Sequence, residues 1–462
     1  MKRLTRRGWL KGSLAGGVFL KLAGSGGARS VRAAGPNSEV RIAIIGLGGI
    51  DVVGGVGGRG RQLLGSLSKV PGARVVALCD VDQAVLGHEV DLFQKRGGGT
   101  VAAVGDLRRV LDDKNVDAVA VATPNHWHAL ATIWACQAGK DVYVEKPFSY
   151  NIWEGRQMVA AARKYGRIVQ VGTQRRSSTV LRRAVEYLGS GAIGPIRCAY
   201  ALVYRPREGM AKVPTPVAVP SSVNYDLWCG PAPMAPLMRQ QLHYDWHWFW
   251  STGNGEIGNN GVHQIDVGRW MLGKDQLPPR AISIGGRFAF GDGGETPNTQ
   301  IAFLDYQPAP LLCEVRNVQR EKGSIGKFRN ADRGVVVVCE GGYFAETSSG
   351  AAIYDRQGKM TREIRDTEKS QNMEILHLAN FVGAVRSRNA AALNAESIQG
   401  HLSAGCAHMA NISHRLGTLS SAEQIKEIVR SNRELSDAFE RCTEYLRVNG
   451  IRLAETRAVA GP

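Results

Sequence analysis

The feature that most constrains the fold of this chain is a β-branched segment that leads directly into a glycine-rich loop. Residues 40–45 read Val-Arg-Ile-Ala-Ile-Ile, which is typical of a strand buried on both faces of a parallel sheet. The loop that follows, residues 46–60, contains eight glycines. Because similar apolar runs alternate with helix-like segments, the pattern predicts a doubly wound parallel sheet. These further runs lie at residues 75–79, 118–121 and 142–144, with a helix expected at 127–138.

The glycine loop has the spacing of a dinucleotide-binding turn once an insertion is set aside. Without residues 49–57 it reads G-x-G-x-x-G, where glycines let backbone N–H groups approach a pyrophosphate at a helix N-terminus. An acidic residue ends the next strand about 20 residues later, and such a carboxylate favours NAD, with NADP as the alternative. Residues 55–60 have the same spacing, so the choice of phosphate-contacting glycines stays open. The predicted cofactor contacts are Gly46, Gly48, Gly58, Arg59, Gly60 and Asp80.

The formal net charge of +17 is distributed unevenly along the chain. Residues 1–38 hold eight Lys and Arg and no acid, which leaves a modest +9 for the rest. Beyond this stretch no basic run is interleaved with aromatic residues, as a nucleic-acid groove would need. A nucleic-acid partner is therefore not expected.

The first 33 residues have the features of an export signal. The segment Thr5 to Lys11 reads Thr-Arg-Arg-Gly-Trp-Leu-Lys, a short apolar stretch follows, and cleavage is expected after Ala33. The paired arginines resemble the twin-arginine signal, whose route carries folded proteins. The apolar stretch is too short and glycine-rich to span a membrane. We therefore expect a periplasmic or otherwise exported protein with no membrane span after cleavage, and a disordered basic tail is the alternative.

Eight cysteines are widely spaced, and none forms a Cys-x-x-Cys pair. Several lie in apolar runs such as residues 75–79 and 335–339. We therefore expect buried free thiols and no zinc or other metal site.

Two motifs follow predicted strands at the sheet edge where ligands bind in open α/β sheets. Residues 123–126 read Thr-Pro-Asn-His, and residues 145–147 read Glu-Lys-Pro. Together with the glycine loop, with Tyr-Asp-Leu-Trp-Cys-Gly-Pro-Ala-Pro at 225–233 and with Gly-Val-His-Gln-Ile-Asp at 261–266, they resemble the Gfo/Idh/MocA family of oxidoreductases. The resemblance covers roughly residues 40–420.

This resemblance implies an α/β fold with two domains. We expect an NAD(P)-binding Rossmann domain over residues 39–172 and a C-terminal α/β domain over residues 173–420. The second domain should have a large, mostly antiparallel open sheet that carries the substrate site and the contact of a homo-oligomer, either a dimer or a tetramer. Residues 421–462 are expected to form a helical tail. Strands are predicted at 196–204, 281–290, 300–306, 311–318 and 335–339, and helices at 374–388 and 398–416.

The resemblance also implies which residues carry the chemistry. Lys146 is expected near the nicotinamide and the reacting hydroxyl, where an ammonium stabilises negative charge that develops as hydride leaves the carbon. His263 is the expected acid/base, because an imidazole titrates near working pH. The peptide bond before Pro147 is expected to be cis. Further cofactor contacts are expected from Thr123, Pro124, Asn125, His126, Glu145 and Lys146.

One position departs from the family pattern. Family dehydrogenases commonly have an aspartate four residues before the histidine, where this chain has Asn259, and an amide cannot take up a proton. The aromatic-rich segment 243–250 resembles a polyol site, and Asp266 has an alternative role in orienting His263 or capping a helix. Substrate contacts are expected from Arg175, Asp245, His247, Asn259 and Asp266.

These residues predict an exported, NAD-dependent oxidoreductase that acts on a secondary hydroxyl of a sugar or sugar derivative. Because export removes the protein from the cytoplasmic NAD pool, we expect a cofactor that is loaded before export and recycled in place. One alternative is a redox-neutral, NAD-dependent glycoside hydrolase that oxidises, eliminates and reduces again. Another is a non-catalytic sugar-binding protein.

Overall fold

The first half of the chain forms a six-stranded parallel sheet with helices on both faces. The computed structural model describes residues 39–52, 55–347, 350–365 and 372–462, so the predicted export signal lies outside the described residues. The strand order β3-β2-β1-β4-β5-β6 reverses direction between β1 and β4, which creates the crevice where such sheets bind ligands. The elements are β1 Val40–Ile45, α1 Arg59–Leu67, β2 Ala73–Cys79, α2 Gln83–Lys95, β3 Ala102–Val104, α3 Leu107–Asp112, β4 Ala118–Val121, α4 Asn125–Gln137, β5 Asp141–Val144, α5 Ile152–Lys164 and β6 Val169–Val171.

The rest of the chain builds a ten-stranded sheet in the order β14-β13-β12-β11-β7-β10-β9-β8-β16-β15. Within this sheet, β7–β10 is the one parallel pair among the described strand pairs, so the predicted mostly antiparallel sheet is confirmed. Its elements are α6 Thr179–Gly189, β7 Ile196–Tyr204, α7 Tyr225–Cys229, α8 Leu242–Asp245, α9 Val262–Met271, β8 Ala281–Gly286, β9 Thr299–Leu304, β10 Leu311–Arg316, β11 Arg333–Cys339, β12 Gly342–Thr347, β13 Gly350–Asp355, β14 Met360–Ile364, α10 Met373–Ser387, α11 Ser397–Leu416, β15 Thr418–Ser420, α12 Ala422–Val429, α13 Arg433–Val448 and β16 Ala458–Ala460.

Both faces of the ten-stranded sheet are covered by helices. Residues of α6, α9 and α11 form a core with one face, and α12 and α13 supply Ile425 and Phe439 to a second core on the opposite face. The tail after residue 420 is therefore not only helical, because β16 also joins the sheet beside β8. Covering this face removes apolar surface from water that an open sheet would expose.

Two helices from late in the chain return to the first domain. Leu378 and Phe381 of α10 are buried in the same core as Ile44 of β1. In α11, His408 donates to the carbonyl of Ser149 and Asn411 donates to the carbonyl of Asn254. The first domain is therefore completed by residues far from the predicted boundary at 172, and α11 joins the two domains.

All eight cysteines are buried with free thiols, as predicted. Burial raises the pKa of most of these thiols, for example that of Cys198 to about 11. Within the described ranges, every helix is too short or too polar to cross a membrane.

Candidate active site

The glycine loop between β1 and α1 makes a tight turn at Gly46 and Gly48, whose φ angles are +86° and +95°. A Cβ on Gly46 would lie 2.8 Å from the Thr123 backbone nitrogen, and a Cβ on Gly60 would lie 1.9 Å from the Gly46 carbonyl oxygen. Helix α1 begins directly after Gly58. Gly46, Gly48 and Gly60 therefore take the three fingerprint positions, whereas Gly55 faces open space.

The described residues of the insertion, 49–52 and 55–57, leave this turn and rejoin it. The Gly49 N–H donates to the Gly57 carbonyl at 2.8 Å, which closes the base of the insertion. Its residue Val56 packs against the apolar cluster of Trp228 and Trp246. The insertion therefore adds contacts to the second domain without displacing the fingerprint glycines.

Asp80 lies at the end of β2, as the fingerprint requires, and it also holds the turn. One carboxylate oxygen accepts the Leu47 N–H at 2.6 Å, and the other accepts the Asp82 N–H at 3.0 Å. Burial raises the pKa of Asp80 against the effect of these two donors. Asp80 lines a cavity together with Gly46 and Gly48.

This first cavity, of about 340 Å³, fits the adenosine and diphosphate half of a dinucleotide. The N-terminus of α1 lies at the Gly46–Gly48 turn, where an added Cβ would clash, and its backbone N–H groups can bind the diphosphate. Asp80, at the end of β2, is the acidic residue of the fingerprint. Predicted contacts Thr123 and Pro124 are also part of the wall. Its apolar wall includes Val56, Val81, Leu107, Trp127, Leu130, Trp134, Leu227, Trp228 and Trp246.

One wall of the first cavity is a segment of the second domain, residues 222–246, which we call the covering segment. Its Asn224 N–H donates to the Val81 carbonyl, and its Ser222 carbonyl accepts the Gln83 N–H, both at 2.9 Å. His243 Nε2 donates to an Asp82 carboxylate oxygen at 2.9 Å. Burial favours neutral Asp82, but hydrogen bonds with Ser222 and His243 outweigh it and lower the Asp82 pKa. These bonds attach the covering segment to the end of β2, two residues beyond Asp80.

A second cavity, of about 410 Å³, continues from the first, since Val56, Ala122, Thr123 and Trp246 line both. It brings together eight residues that the sequence placed in the site. These are Arg59, Thr123, Asn125, Glu145, Lys146, His247, Asn259 and His263.

Lys146 follows β5, and the Lys146–Pro147 peptide bond is cis, as expected. Its Nζ donates to the Asn259 side-chain oxygen at 2.8 Å and to the Asn259 carbonyl at 3.0 Å. Burial lowers the pKa of Lys146 to about 8, with Glu145 opposing this shift and Arg59 adding to it. An amine with this pKa exchanges protons near neutral pH.

Asn259 lies in a π-helical turn, Ile257–Gly261, that precedes α9. Such turns are frequent at functional sites. The Asn259 amide also donates to Glu256 at 3.3 Å, and Glu256, fully buried, accepts from Arg207 at 3.1 Å. The Glu256 carboxylate therefore contacts the Asn259 amide, and Arg207 neutralises the charge of Glu256.

His263 lines the second cavity, but its surroundings oppose protonation. Burial, followed by the charges of Lys146 and Arg175, holds the His263 pKa well below its ordinary value. Its Nδ1 is buried without a hydrogen-bond partner among the described residues. The imidazole is therefore neutral near pH 7, which weakens the expectation that it exchanges the hydroxyl proton.

Three predicted substrate contacts lie outside the second cavity. Asp266 is fully buried and accepts from Arg176 at 2.8 Å and from Ser403 at 2.7 Å, and among the described residues no hydrogen bond joins it to His263. Arg175 pairs with Glu346. Asp245 accepts the Gln241 N–H and lines a neighbouring cavity. Distant segments supply the charged partners of Asp266 and Arg175, whereas Asp245 accepts from a residue four positions before it; contact of the three residues with substrate stays a prediction.

His126, a predicted cofactor contact, lines neither cavity. Its ring lies between two carbonyl oxygens, those of Trp228 at 3.1 Å and Thr252 at 3.4 Å. Burial lowers its pKa to about 4. His126 therefore holds two loops of the second domain against α4, and its neighbour Asn125 reaches the cavity instead.

Arg59 reaches the second cavity but is tied to carboxylates. It donates to Glu145 at 2.7 Å and to Glu374 of α10 at 2.6 Å. The arginine thus couples the start of α1 to the Glu-Lys-Pro motif.

Several residues of the site have no counterpart among the predicted ones. Arg205 and Arg207 line the second cavity, as do Tyr244, Gln174 and His128. The Arg-Pro-Arg triplet directly after the predicted strand 196–204 is the signal that points to the two arginines. Glu256 and the Asp82–His243 pair carry no comparable sequence signal.

Fold and site together define a Rossmann-type oxidoreductase with a second α/β domain. The chain matches the model of the Gfo/Idh/MocA oxidoreductase family, NAD-binding Rossmann fold, over residues 40–173. It matches the C-terminal alpha/beta domain of that family over residues 207–296. The chain belongs to the Gfo/Idh/MocA oxidoreductase family.

Similar proteins include a levoglucosan dehydrogenase of Pseudarthrobacter phenanthrenivorans, 27% identical over 241 residues, which are 50% of this chain and 53% of the relative. A glycosyl hydrolase family 109 protein of Shewanella baltica is 33% identical over 177 residues, 36% of this chain and 38% of the relative. The chain thus spans about half or less of the length of these curated relatives.

Solved structures share the fold at low identity. The aldose-aldose oxidoreductase of Caulobacter crescentus is 18% identical with a TM-score of 0.55, covering 86% of this chain and 98% of that one. The WlbA dehydrogenase of Bordetella pertussis, solved with NADH and UDP-GlcNAcA, is 19% identical with a TM-score of 0.55, covering 79% and 93%.

Proposed function

We propose that this protein is an exported oxidoreductase that transfers hydride between a secondary hydroxyl of a sugar or sugar derivative and a tightly bound NAD. The observation that carries the proposal is the position of Lys146 in a cavity continuous with the one formed by the fingerprint glycines and Asp80. Similar proteins support a sugar or sugar derivative as the substrate class, since they include a levoglucosan dehydrogenase and an aldose-aldose oxidoreductase.

Bound NAD supplies the acceptor or donor of hydride. Gly46, Gly48 and the N-terminus of α1 would hold its diphosphate, and Asp80 would accept hydrogen bonds from a ribose. The second cavity would place the substrate beside Lys146.

Lys146 is assigned the exchange of the hydroxyl proton. In its neutral form the amine accepts a proton from the hydroxyl as the carbon is oxidised, and its ammonium returns a proton in the reverse direction. With a pKa of about 8, both forms are populated near neutral pH. Asn259 accepts two hydrogen bonds from Lys146 Nζ and thereby sets the direction of the amine.

His263 is assigned a hydrogen-bonding role. Because its pKa is held well below the ordinary value, the neutral ring orients the substrate without taking up the proton. This differs from the first expectation, in which His263 was the acid/base.

We infer that the covering segment retains the cofactor, because it forms part of the wall of the first cavity and its His243 holds it against Asp82. Val56, in the described part of the insertion, lines the same cavity. Retention suits an exported protein, which is the proposal drawn from residues 1–33. The cofactor would then be recycled by a second substrate or within one reaction.

The test is purification from the export compartment, followed by denaturation and mass analysis of released nucleotide. We expect NAD at close to one equivalent per chain. His243→Ala should release nucleotide roughly 10–100-fold faster, since a charge-assisted hydrogen bond contributes about 1.5–3 kcal/mol.

The matched control is His88→Ala, which removes a His–Glu89 contact outside the cavity wall and should leave the release rate unchanged. Absence of nucleotide from the wild-type protein, or equal release from both variants, contradicts tight retention through the covering segment.

A second candidate function is redox-neutral glycoside hydrolysis, favoured by the 33% identity to the glycosyl hydrolase family 109 protein. Product analysis separates the two functions. Release of an aglycone with no oxidised sugar identifies the hydrolase, whereas an oxidised sugar paired with a reduced second substrate identifies the oxidoreductase.

A further inference from the structure

The second cavity carries more positive than negative charge. Its lining includes four cations, Arg59, Lys146, Arg205 and Arg207, and one carboxylate, Glu145. A neutral sugar alone does not require this excess, because neutral donors and acceptors are sufficient to bind hydroxyl groups.

Carboxylates of the protein neutralise only two of the four cations. Arg59 pairs with Glu145 and Glu374, and Arg207 pairs with Glu256. Lys146 bonds to an amide and a carbonyl of Asn259. For the Arg205 guanidinium, the described part of the chain provides no hydrogen-bonding or ion-pair partner. Arg205 is therefore the one arginine of the cavity whose charge is left for a ligand.

The backbone directs the side chains of Arg205 and Arg207 to the same side of an extended segment. Arg205 N–H donates to the Arg316 carbonyl and Arg207 N–H to the Asn317 carbonyl, both at 2.9 Å, which extends the β7 backbone beyond its last strand residue. Residues two apart on an extended chain point to the same side. Both arginines accordingly line the same cavity.

Electrostatics around Arg205 agree with an anion site. Partial burial and the neighbouring charges of Arg207 and Arg333 lower the Arg205 pKa, although Glu256 and Tyr244 oppose them. Like charges held close together are stabilised when an anion binds between them. The diphosphate of the cofactor is not the anion in question, because Arg205 does not line the cavity of the fingerprint glycines.

Neutral groups of the same wall suit the rest of a sugar. His247 Nδ1 donates to the Tyr244 carbonyl, so its buried Nε2, which has no described partner, is an acceptor. Burial lowers the His247 pKa to about 3, which keeps Nε2 available to accept from a hydroxyl.

We propose that the second cavity binds an anionic sugar derivative, with Arg205 as the specificity-determining residue that recognises its carboxylate or phosphate. This inference rests on the proposed function, because it describes the substrate of the same site. The shared chemistry of the two anions is bidentate recognition by a planar guanidinium.

The experiment measures Kd by calorimetry on the NAD-loaded protein with three probes at millimolar concentration. D-glucose is the neutral reference, D-glucuronate carries a carboxylate, and a hexose phosphate carries a phosphate. Two variants are compared, Arg205→Gln and the control Arg197→Gln. Both substitutions remove one positive charge. Arg197 is exposed, pairs with Glu340 and lies roughly 26 Å from Arg205 along β7, at about 3.3 Å per residue, so its loss should not affect the cavity.

We expect the wild-type protein to bind an anionic probe more tightly than glucose. The anionic probe that binds more tightly shows whether the site prefers a carboxylate or a phosphate. In Arg205→Gln the ratio of anionic to neutral Kd should rise about ten-fold or more, and in Arg197→Gln it should not change. The nucleotide content of Arg205→Gln, measured by mass analysis, should equal that of wild type.

Equal affinity for glucose and both anions, or an anion preference that survives in Arg205→Gln, overturns the anion site. So does failure of both anions to bind. Anion binding that depends on Arg205 without any turnover of the bound sugar supports the anion site and contradicts the proposed oxidoreductase function, so the two failures are distinguishable.

Discussion

Replacing Gly60 by alanine tests the assignment of the cofactor turn. The added Cβ would lie 1.9 Å from the Gly46 carbonyl oxygen, whereas real Cβ contacts essentially never fall below 3.0 Å. Helix α1 must therefore move away from the Gly46 turn by about the difference. Overpacking of this kind costs about 1–3 kcal/mol, which corresponds to a fall in Tm of roughly 1 °C for each kcal/mol in a chain of this length.

The same displacement separates the first N–H groups of α1 from the turn that they share as an anion site. We therefore expect Gly60→Ala to be purified with markedly less nucleotide than wild type. Thermal unfolding by circular dichroism and mass analysis of released nucleotide, on the same preparation, measure the two effects.

Gly65→Ala is the matched control, because Gly65 lies in the same helix with nothing within 4 Å of an added Cβ. Alanine at an exposed helical position should stabilise the protein by up to about 1 kcal/mol and leave the nucleotide content unchanged. If Gly60→Ala equals Gly65→Ala in Tm and nucleotide content, the close approach of α1 to Gly46 is refuted as a requirement of the turn.

Two further predictions concern the proton at Lys146. With a Lys146 pKa of about 8, sugar oxidation should slow as pH falls through 8 because the amine becomes ammonium, and reduction should slow as pH rises through 8. Lys146→Arg should lower kcat by about 10²–10⁴-fold and abolish this inflection of the pH–rate profile. If the inflection is unchanged in Lys146→Arg, another group exchanges the proton. The Asn259 side-chain oxygen lies 2.8 Å from Lys146 Nζ, so Asn259→Asp places a carboxylate beside the amine. Because a carboxylate favours the ammonium form, the inflection in the pH–rate profile should move above 8. An inflection that stays in place contradicts direct coupling of the two side chains.

Local pattern was sufficient for the elements that build the cofactor half of the site. The strand predicted at 40–45 is β1 as observed, Asp80 follows the end of β2, and Lys146 follows β5. Each of these positions depends on a periodicity or a turn within a few residues, which a sequence displays directly. The strand at 196–204 was predicted with the same limits as β7 for the same reason.

Contacts between distant segments explain why some predicted site residues do not line the second cavity. Asp266 and Arg175 are charged residues near a motif, and their sequence neighbours carry no sign that Arg176, Ser403 and Glu346 would pair with them. The cover of the ten-stranded sheet by residues after 420 was likewise missed, because amphipathic helices do not specify which apolar face they bury.

The chain's own order of residues was enough to establish a Rossmann turn, a lysine at the adjacent strand end and the family to which they belong. Tertiary structure decided which charges remain free in the cavity. Glu145 and Glu256 neutralise Arg59 and Arg207, while Arg205 forms no ion pair among the described residues. The physical reason is that a charge is neutralised by whatever lies within a few ångströms in space, and residues 86 and 49 positions apart in sequence become such neighbours only when the chain folds.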